Sequence, residues 1–342
     1  MLLLVGDIGG TKTILRVVSV EKDKRDFETV RDSTYVSHDF PDLVPMVKEF
    51  LTEADSQRPT RACFAIAGPV VNNKSNLTNL DWTLQSDRLE QELKLAKVSL
   101  INDFTANSYG VLGLKNSDLL TLQTGEFDSN SPIAIIGAGT GLGEGFLIPQ
   151  GKSYQAFSSE GGHADFAPRN SRELDLFKYL QTKLNQEHIS VERIVSGQGI
   201  VNLYQYLRDS NFAPESSEIG DRIRTWEQQD TQDTDIDPAA IISKAALDKR
   251  DRLCQKTMEM FVEAYGAETG NLALKFLPYG GIYIAGGIAA KIVPLMKEER
   301  FLLAFREKGR MTPLMNKIPI HIVLNTQVGL IGSIIYALRE EE

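Results

Sequence analysis

Three short stretches bring together side chains that do chemistry. Val98-Ser99-Leu100-Ile101-Asn102-Asp103 sets an Asn-Asp pair at the end of an apolar run. Ligands of open α/β sheets gather at that edge. A carboxylate there can take a proton from a hydroxyl, and the amide beside it both donates and accepts. Taken alone, Asp103 reads first as the cap of a following helix. Ser159-Glu160-Gly161-Gly162-His163 holds a carboxylate and an imidazole three residues apart around two glycines. Glutamate accepts and histidine does either, which suits a polyhydroxylated partner; the plainer reading is a solvated loop. Glu192, within residues 191–197, is of the same kind, and alone it reads as a surface glutamate in a first helical turn.

Glycine turns supply the second ingredient. Gly6-Asp7-Ile8-Gly9-Gly10-Thr11 and Gly137-Ala138-Gly139-Thr140-Gly141-Leu142-Gly143 each follow one apolar run and precede another. Such a turn exposes successive backbone N–H groups with no Cβ in the way, a nest for anionic oxygens, and threonine adds a hydroxyl donor. One turn alone is as readily a hairpin using glycine for positive φ. Two of them, together with Gly286-Gly287 after a later apolar run, point to an anion. No G-x-G-x-x-G occurs in residues 137–145 and no G-x-x-x-x-G-K-[ST] occurs either, so a dinucleotide fingerprint and a P-loop are excluded.

The elements that must position these groups follow from periodicity. Strands are expected at 2–5, 14–20, 62–67, 98–101, 133–136 and 318–324, and another inside 280–289. Helices are expected at 43–53, 87–95, 172–183, from 200, and at 329–341. Pro238 should open one long helical region running towards residue 274. Residues 209–237 are polar and acidic, and read as a surface excursion that is partly disordered. Strands alternating with helices argue for α/β layers. The repeat of strand, Gly-Thr turn and strand suggests two related halves facing each other across a cleft.

Composition narrows the function. A length of 342 residues suggests two domains. Thirty-seven basic against forty-six acidic residues give −9, which discourages nucleic acid and anionic membrane. Any phosphate must then be held by local devices. Two cysteines, Cys63 and Cys254, exclude a disulfide framework and a four-cysteine zinc site, and the four histidines show no metal-ligand spacing. Buried free thiols, no signal segment and no long apolar span lead to the expectation of a cytoplasmic protein.

Together the motifs resemble the bacterial glucokinase family, within the hexokinase, actin and Hsp70-like ATPase fold. The resemblance rests on Gly-Asp-Ile-Gly-Gly-Thr at 6–11, Ala-Gly-Pro at 67–69, Leu-Thr-Asn-Leu-Asp-Trp at 77–82, Ile-Asn-Asp-Phe at 101–104, Gly-Ala-Gly-Thr-Gly-Leu-Gly at 137–143, Ser-Glu-Gly-Gly-His at 159–163, Glu-Arg-Ile-Val-Ser-Gly at 192–197 and Ala-Gly-Gly-Ile at 285–288. These stand in family order and span most of the chain, and the polar segment 209–237 lies outside the resemblance.

The resemblance implies a two-domain actin-like ATPase (ribonuclease H-like) α/β fold with a cleft between the domains. Residues 1–112 with about 328–342 would form the small domain, and 113–327 the large one. It implies ATP-dependent phosphorylation of the 6-hydroxyl of D-glucose, with Mg²⁺ as cofactor. Asp103 resembles the general base, ionised near its usual pKa of about 4. Asn102, Glu160, His163 and Glu192 resemble the hydroxyl-binding set, and Asn79 lies in a motif near it. Gly6, Asp7, Ile8, Gly9, Gly10 and Thr11 resemble the first phosphate turn, Gly137, Gly139 and Thr140 the second, and Gly286 and Gly287 the adenosine-side turn. Asp7 would approach the magnesium shell through water, and Lys12 follows where family members vary. A homodimer is implied, with neither nucleic acid nor membrane as partner.

No cysteine lies near His163, so the zinc motif of the related repressor/ORF/kinase sugar kinases is not expected. Another hexose kinase of this fold remains an alternative. So does a sugar-sensing regulator, although it would want a DNA-binding module and the sheet begins at Leu2. An actin-like assembling ATPase gives no reason for Glu160, His163 and Glu192 together.

Overall fold

The computed structural model describes residues 1–20, 27–52, 58–77, 79–151, 153–228 and 236–339. The chain divides into two compact units. One holds Met1–Leu119, Gln155–Ser158 and Asn325–Glu342; the other holds Leu120–Tyr154 and Ser159–Leu324.

The first unit is built on a five-stranded sheet of order β3-β2-β1-β4-β7. Its strands are β1 (Leu2–Ile8), β2 (Lys12–Val20), β3 (Phe27–Val36), β4 (Arg61–Ile66) and β7 (Lys97–Asn102). β5 (Lys74–Leu77) and β6 (Trp82–Gln85) form a separate hairpin. β1 and β4 are nearly continuous apolar runs, as strands covered on both faces must be. Alternation then sorts their side chains. Leu4, Ile8, Phe64 and Ile66 pack with α1 (Leu43–Thr52) and α2 (Ser86–Leu93) on one face. Leu3, Val5, Cys63 and Ala65 pack on the other with α3 (Asp103–Gly110) and α13 (Val328–Arg339). The two helices of that second face cross closely. A Cβ at Gly110 would overlap the Val328 carbonyl, and one at Gly332 would overlap the Ala106 carbonyl.

A six-stranded sheet of order β11-β10-β9-β12-β13-β8 belongs mostly to the second unit, with Gln155–Ser158 of its edge strand and Leu119 counted in the first. The strands are β8 (Leu119–Gln123), β9 (Ile133–Ala138), β10 (Leu142–Gln150), β11 (Ser153–Ser159), β12 (Ile282–Ala285) and β13 (Ile320–Val323). β1 pairs antiparallel with β2 and parallel with β4; β9 pairs antiparallel with β10 and parallel with β12. The duplication seen in two glycine motifs therefore extends to a whole sheet topology. Around this sheet lie α4 (Ser171–Leu184), α5 (Gly197–Asp209), α6 (Ser217–Glu227), α7 (Pro238–Leu247), α8 (Arg252–Phe276), α9 (Gly287–Lys291), α10 (Val293–Met296), α11 (Glu299–Arg306) and α12 (Thr312–Met315). α8 is buried along most of its length, and Gly266 and Gly270 let the α11 backbone at Phe301 and Phe305 approach it.

Two expectations are corrected. The segment 209–237 is not simply a surface excursion: α6 forms within it and buries Ile219 and Ile223, while Trp226 packs on the core. Residues 229–235 of that segment lie outside the described residues, as do Glu53, Thr78 and residues 340–342 of other expected elements or motifs. Nor is the region from Pro238 one helix. Lys249 adopts a left-handed conformation (φ 55°) and stops α7; the Asp251 carboxylate then caps α8 by accepting from the Cys254 N–H at 2.7 Å. α2 also ends sooner than expected, at Leu93, because Lys94 is left-handed.

The α3–α13 crossing gives a direct stability test. Gly332→Ala should lower the unfolding free energy by about 1–3 kcal/mol, the usual cost of overpacking. An unchanged urea midpoint and slope would show that the helices part freely.

Candidate active site

In the first unit, β1 remains a strand through Ile8. Gly6, Asp7 and Ile8 are therefore ladder residues opposite Leu15, Ile14 and Thr13, and only Gly9, Gly10 and Thr11 turn. Gly6 is a packing glycine, since a Cβ there would lie 2.7 Å from the Phe64 ring. The turn is tied from below. The Gly9 N–H donates to the Lys12 carbonyl at 3.0 Å and the Ser37 N–H to the Thr11 carbonyl at 2.9 Å. The Ser37 hydroxyl donates to the Gly9 carbonyl at 2.8 Å. Neither Gly9 nor Gly10 has positive φ, but a Cβ on Gly9 would lie 2.8 Å from the Lys12 carbonyl, so the hairpin demands glycine there and not at Gly10. A Cβ on Gly10 would meet only the Asn79 side chain, at 3.7 Å. Among the described residues the N–H groups of Gly10 and Thr11 donate to no protein group.

The Asn-Asp pair sits where β7 passes into α3. Capping falls to Asn102, not Asp103: the Asn102 Oδ1 accepts from the N–H groups of Phe104 and Thr105 at 2.9 and 3.2 Å. Its amide donates to the Gly68 carbonyl at 3.0 Å and to the Asp103 Oδ1 at 2.9 Å. Asp103 also accepts from the Phe104 N–H at 2.8 Å. Burial nevertheless raises its pKa above the ordinary aspartate value, which corrects the expectation of about 4. Asp7 is pushed up to about 6, first by burial and then by the charge of Asp103, with Lys12 opposing. A buried carboxylate raised further by a neighbouring acid, just before a turn with open amides, fits a divalent cation and its phosphate ligands.

The second unit repeats the turn with a different environment. Gly137 lies inside β9, opposite Gly143 and Ala285, so the turn is Gly139-Thr140-Gly141. The Ala138 N–H donates to the Tyr265 hydroxyl at 3.1 Å, and the Gly197 N–H to the Gly139 carbonyl at 2.8 Å. The N–H groups of Thr140 and Gly141 have no acceptor among the described residues. Gly286 is required by the backbone: its φ is +80°, and a Cβ would press on Ala138. Gly139 and Gly287 are different, because nothing lies within 4 Å of where their Cβ would be. Both face a cavity of about 670 Å³, lined also by Thr140, Ile200, Trp226 and Lys244. Its apolar walls and open glycine turns suit a heterocyclic base with phosphates attached. Trp226 and Lys244 escaped the sequence reading, although Ile219, Ile223 and Trp226 carry helical i, i+4, i+7 spacing.

The expected hydroxyl-binding residues of this unit come together. Glu160 follows β11 and precedes the single 3₁₀ turn Gly161–His163. His163 Nε2 is 3.8 Å from the Glu160 Oε2, and its Nδ1 is 3.9 Å from the Glu192 Oε1. Glu192 is no surface glutamate: its side chain is 25% exposed, and its Oε2 accepts from the Leu142 N–H at 2.8 Å. Glu160 and His163 remain open, at 89% and 60%. Glu144, absent from the sequence reading, is buried behind Gly161 with its Oε1 unpartnered. Burial, then the charge of Glu268, pushes it up to about 7, with Lys275 opposing. Asn79, Asn102 and Asp103 belong to the first unit, and Glu160, His163 and Glu192 to the second.

Comparison with known proteins places this arrangement. A crystal structure of glucokinase from an Antarctic psychrotroph is similar with a TM-score of 0.84 at 29% identity, covering 99% of both chains. A ROK family glucokinase from Streptomyces griseus, crystallised with glucose and AMPPNP, shares the fold at a TM-score of 0.60 and 19% identity, over 97% of this chain and 98% of that one. The class is thus that of sugar kinases with the actin-like ATPase fold. Within it, the sequence profile named Glucokinase matches residues 4–340. The glucokinase of Nostoc sp. (strain PCC 7120) is 59% identical over 340 residues, 99% of each chain; that of Synechocystis sp. (strain PCC 6803) is 50% identical over 346, 98% of each. The chain belongs to the glucokinase family.

The Asp7 environment sets a pH test. Its folded pKa of about 6 exceeds the model-compound value of 3.8, so the folded state binds the proton more tightly. That contribution is full below about 3.8 and is lost as pH rises through about 6, a change of at most about 3 kcal/mol. Asp7→Asn should therefore melt above the wild type at pH 8 and alongside it near pH 4. Added Mg²⁺ should raise the melting temperature of the wild type more than that of the variant. Equal melting at pH 8 would remove the strained carboxylate.

Proposed function

We propose that this chain transfers the γ-phosphoryl group of ATP to the 6-hydroxyl of D-glucose, giving glucose 6-phosphate and ADP. The observation that carries the reading is Asp103, a carboxylate fixed by the Asn102 amide and the Phe104 N–H and raised in basicity by burial. A base of this kind takes the hydroxyl proton as the O6–phosphorus bond forms and the bond to the ADP oxygen breaks. Both amide protons of Asn102 are used within the fold, so its contribution is to orient Asp103. Glu160, His163, Glu192 and Asn79 take sugar hydroxyls, and discrimination follows because an analogue lacking one leaves a polar group unpaired. The open amides of Gly10, Thr11, Thr140 and Gly141 receive phosphate oxygens. The cavity beside Gly139 and Gly287 receives the adenosine.

Mg²⁺ supplies neutralisation of phosphate charge when bound, and Asp7 is the residue of this chain to hold it, through water. The family reading carries with it a cytoplasmic homodimer.

ADP production over a panel of sugars with ATP and Mg²⁺ tests the reading. Glucose should support the highest kcat/KM. Asp103→Asn should lower kcat by about 10²–10⁴-fold with sugar affinity largely kept. Glu160→Gln should weaken sugar binding by roughly 1–3 kcal/mol, through loss of a charged hydrogen bond. Glucose binding without ADP production would favour a sensor over a kinase, and near-wild-type turnover of Asp103→Asn would falsify its role as base.

A further inference from the structure

Residues 192–197 touch the second glycine turn at both of its ends. At one end the Glu192 Oε2 accepts from the Leu142 N–H at 2.8 Å, where β10 begins. At the other, the Gly197 N–H donates to the Gly139 carbonyl at 2.8 Å. Ser196 stiffens the stretch between these anchors. Its hydroxyl donates to the Glu192 carbonyl at 2.7 Å and accepts from the Gly199 N–H at 3.0 Å, so that the start of α5 and the Glu192 backbone move as one piece. The other oxygen of the same carboxylate faces His163 Nδ1 at 3.9 Å. Gly162, beside His163, is itself pressed on Leu142, since a Cβ there would overlap the Leu142 carbonyl.

Gly141 completes the arrangement. Its φ is not positive, so the turn tolerates alanine by its backbone. A Cβ at that position would instead collide with the Glu192 Oε2. The space beside Gly141 is filled by the Glu192 carboxylate.

We propose that residues 192–197 act as a strap, with Glu192 as the positioning residue that couples sugar binding to the nucleotide turn. The proposal rests on the function given above. A hydroxyl bound to the Glu192 Oε1 selects the rotamer whose Oε2 holds Leu142. The turn then presents its Thr140 and Gly141 amides already oriented. Phosphate bound to those amides holds Leu142 in place and presents the Oε1 to the sugar. Linkage makes this influence reciprocal, and couplings of this type amount to about 5- to 150-fold in affinity. The coupling runs through bonds inside the second unit.

The test crosses the two ligands, using calorimetry on the full chain. Gly141→Ala alters the nucleotide turn, yet it should raise the glucose dissociation constant at least about fivefold with no nucleotide present. Glu192→Asp withdraws the carboxylate from Leu142 by one methylene, and should raise the ADP dissociation constant at least about fivefold with no sugar present. A role confined to the sugar pocket or to the phosphate turn would move only the matching ligand. Wild-type circular dichroism and melting for both variants would exclude a folding defect; if one variant misfolds, the crossed effect of the other decides. Either folded variant weakening only its own ligand overturns the strap. A wild type that binds ADP but no glucose overturns the proposed activity instead, and the strap with it.

Discussion

Backbone amides at the ends of two central strands have to do what a basic patch would otherwise do. With a charge of −9 the chain cannot gather phosphate by general attraction, so donors must stand ready at a fixed place. A strand is a good source of them only if it stops without spending its last N–H groups. β1 and β9 stop in this way, each before a three-residue turn. Much of the neighbouring structure keeps those turns in shape from behind. Ser37 supports the first, and Tyr265, Gly197 and Glu192 support the second. The open sides at Gly10, Gly139 and Gly287 are kept clear of side chains, with no demand from φ and no crowding to explain the glycine.

The same economy leaves unneutralised acid beside the turns. The charge of Asp103 raises the proton affinity of Asp7 in one unit, and that of Glu268 raises buried Glu144 in the other. The two pairs differ in chemistry. Asp7 stands just before open amides, so on the proposed reading a cation with phosphates attached relieves its repulsion by Asp103. Glu144 is sealed behind Gly161 and is 2% exposed, out of reach of such a ligand. Its carboxyl fills space under the turn that carries Glu160 and His163, and near neutral pH it is partly protonated.

What was legible in the sequence was local. The strand ends, the turns and Asp103 at the edge of β7 all follow from runs and spacings within about ten residues. What was not legible depends on contacts between distant segments. Tyr265 reaches Ala138 across 127 positions, and Glu192 reaches Leu142 across 50, so no window of periodicity contains either bond. Glu144 reads as an ordinary polar position of a strand until its neighbours are known. Two misreadings had local signals that were outweighed. Polar composition hid the i, i+4, i+7 spacing of Ile219, Ile223 and Trp226, and a helix-forming average hid the Asp251 cap. The choice of Asn102 over Asp103 as cap turned on φ and ψ, which adjacent capping residues do not reveal.

The duplication explains how one turn came to serve two tasks. In each sheet the edge strand beside the glycine hairpin leads into a 3₁₀ turn: Ser37–Asp39 after β3, and Gly161–His163 after β11. In the first unit that position only braces, because Ser37 is fully buried and bonded to Gly9. In the second it packs on Leu142 through Gly162 and presents Glu160 and His163 outward. The same position therefore braces the hairpin in one sheet and presents exposed hydrogen-bonding side chains in the other. Gly162 joins that turn to Leu142 by packing, and Glu192 adds a second connection to the same strand end. The division of labour between the units then follows. On the proposed reading the first unit keeps the base, Asp103, on the junction of β7 and α3, where a proton acceptor must not move. The second, on the same reading, carries the groups through which the two ligands would share positions.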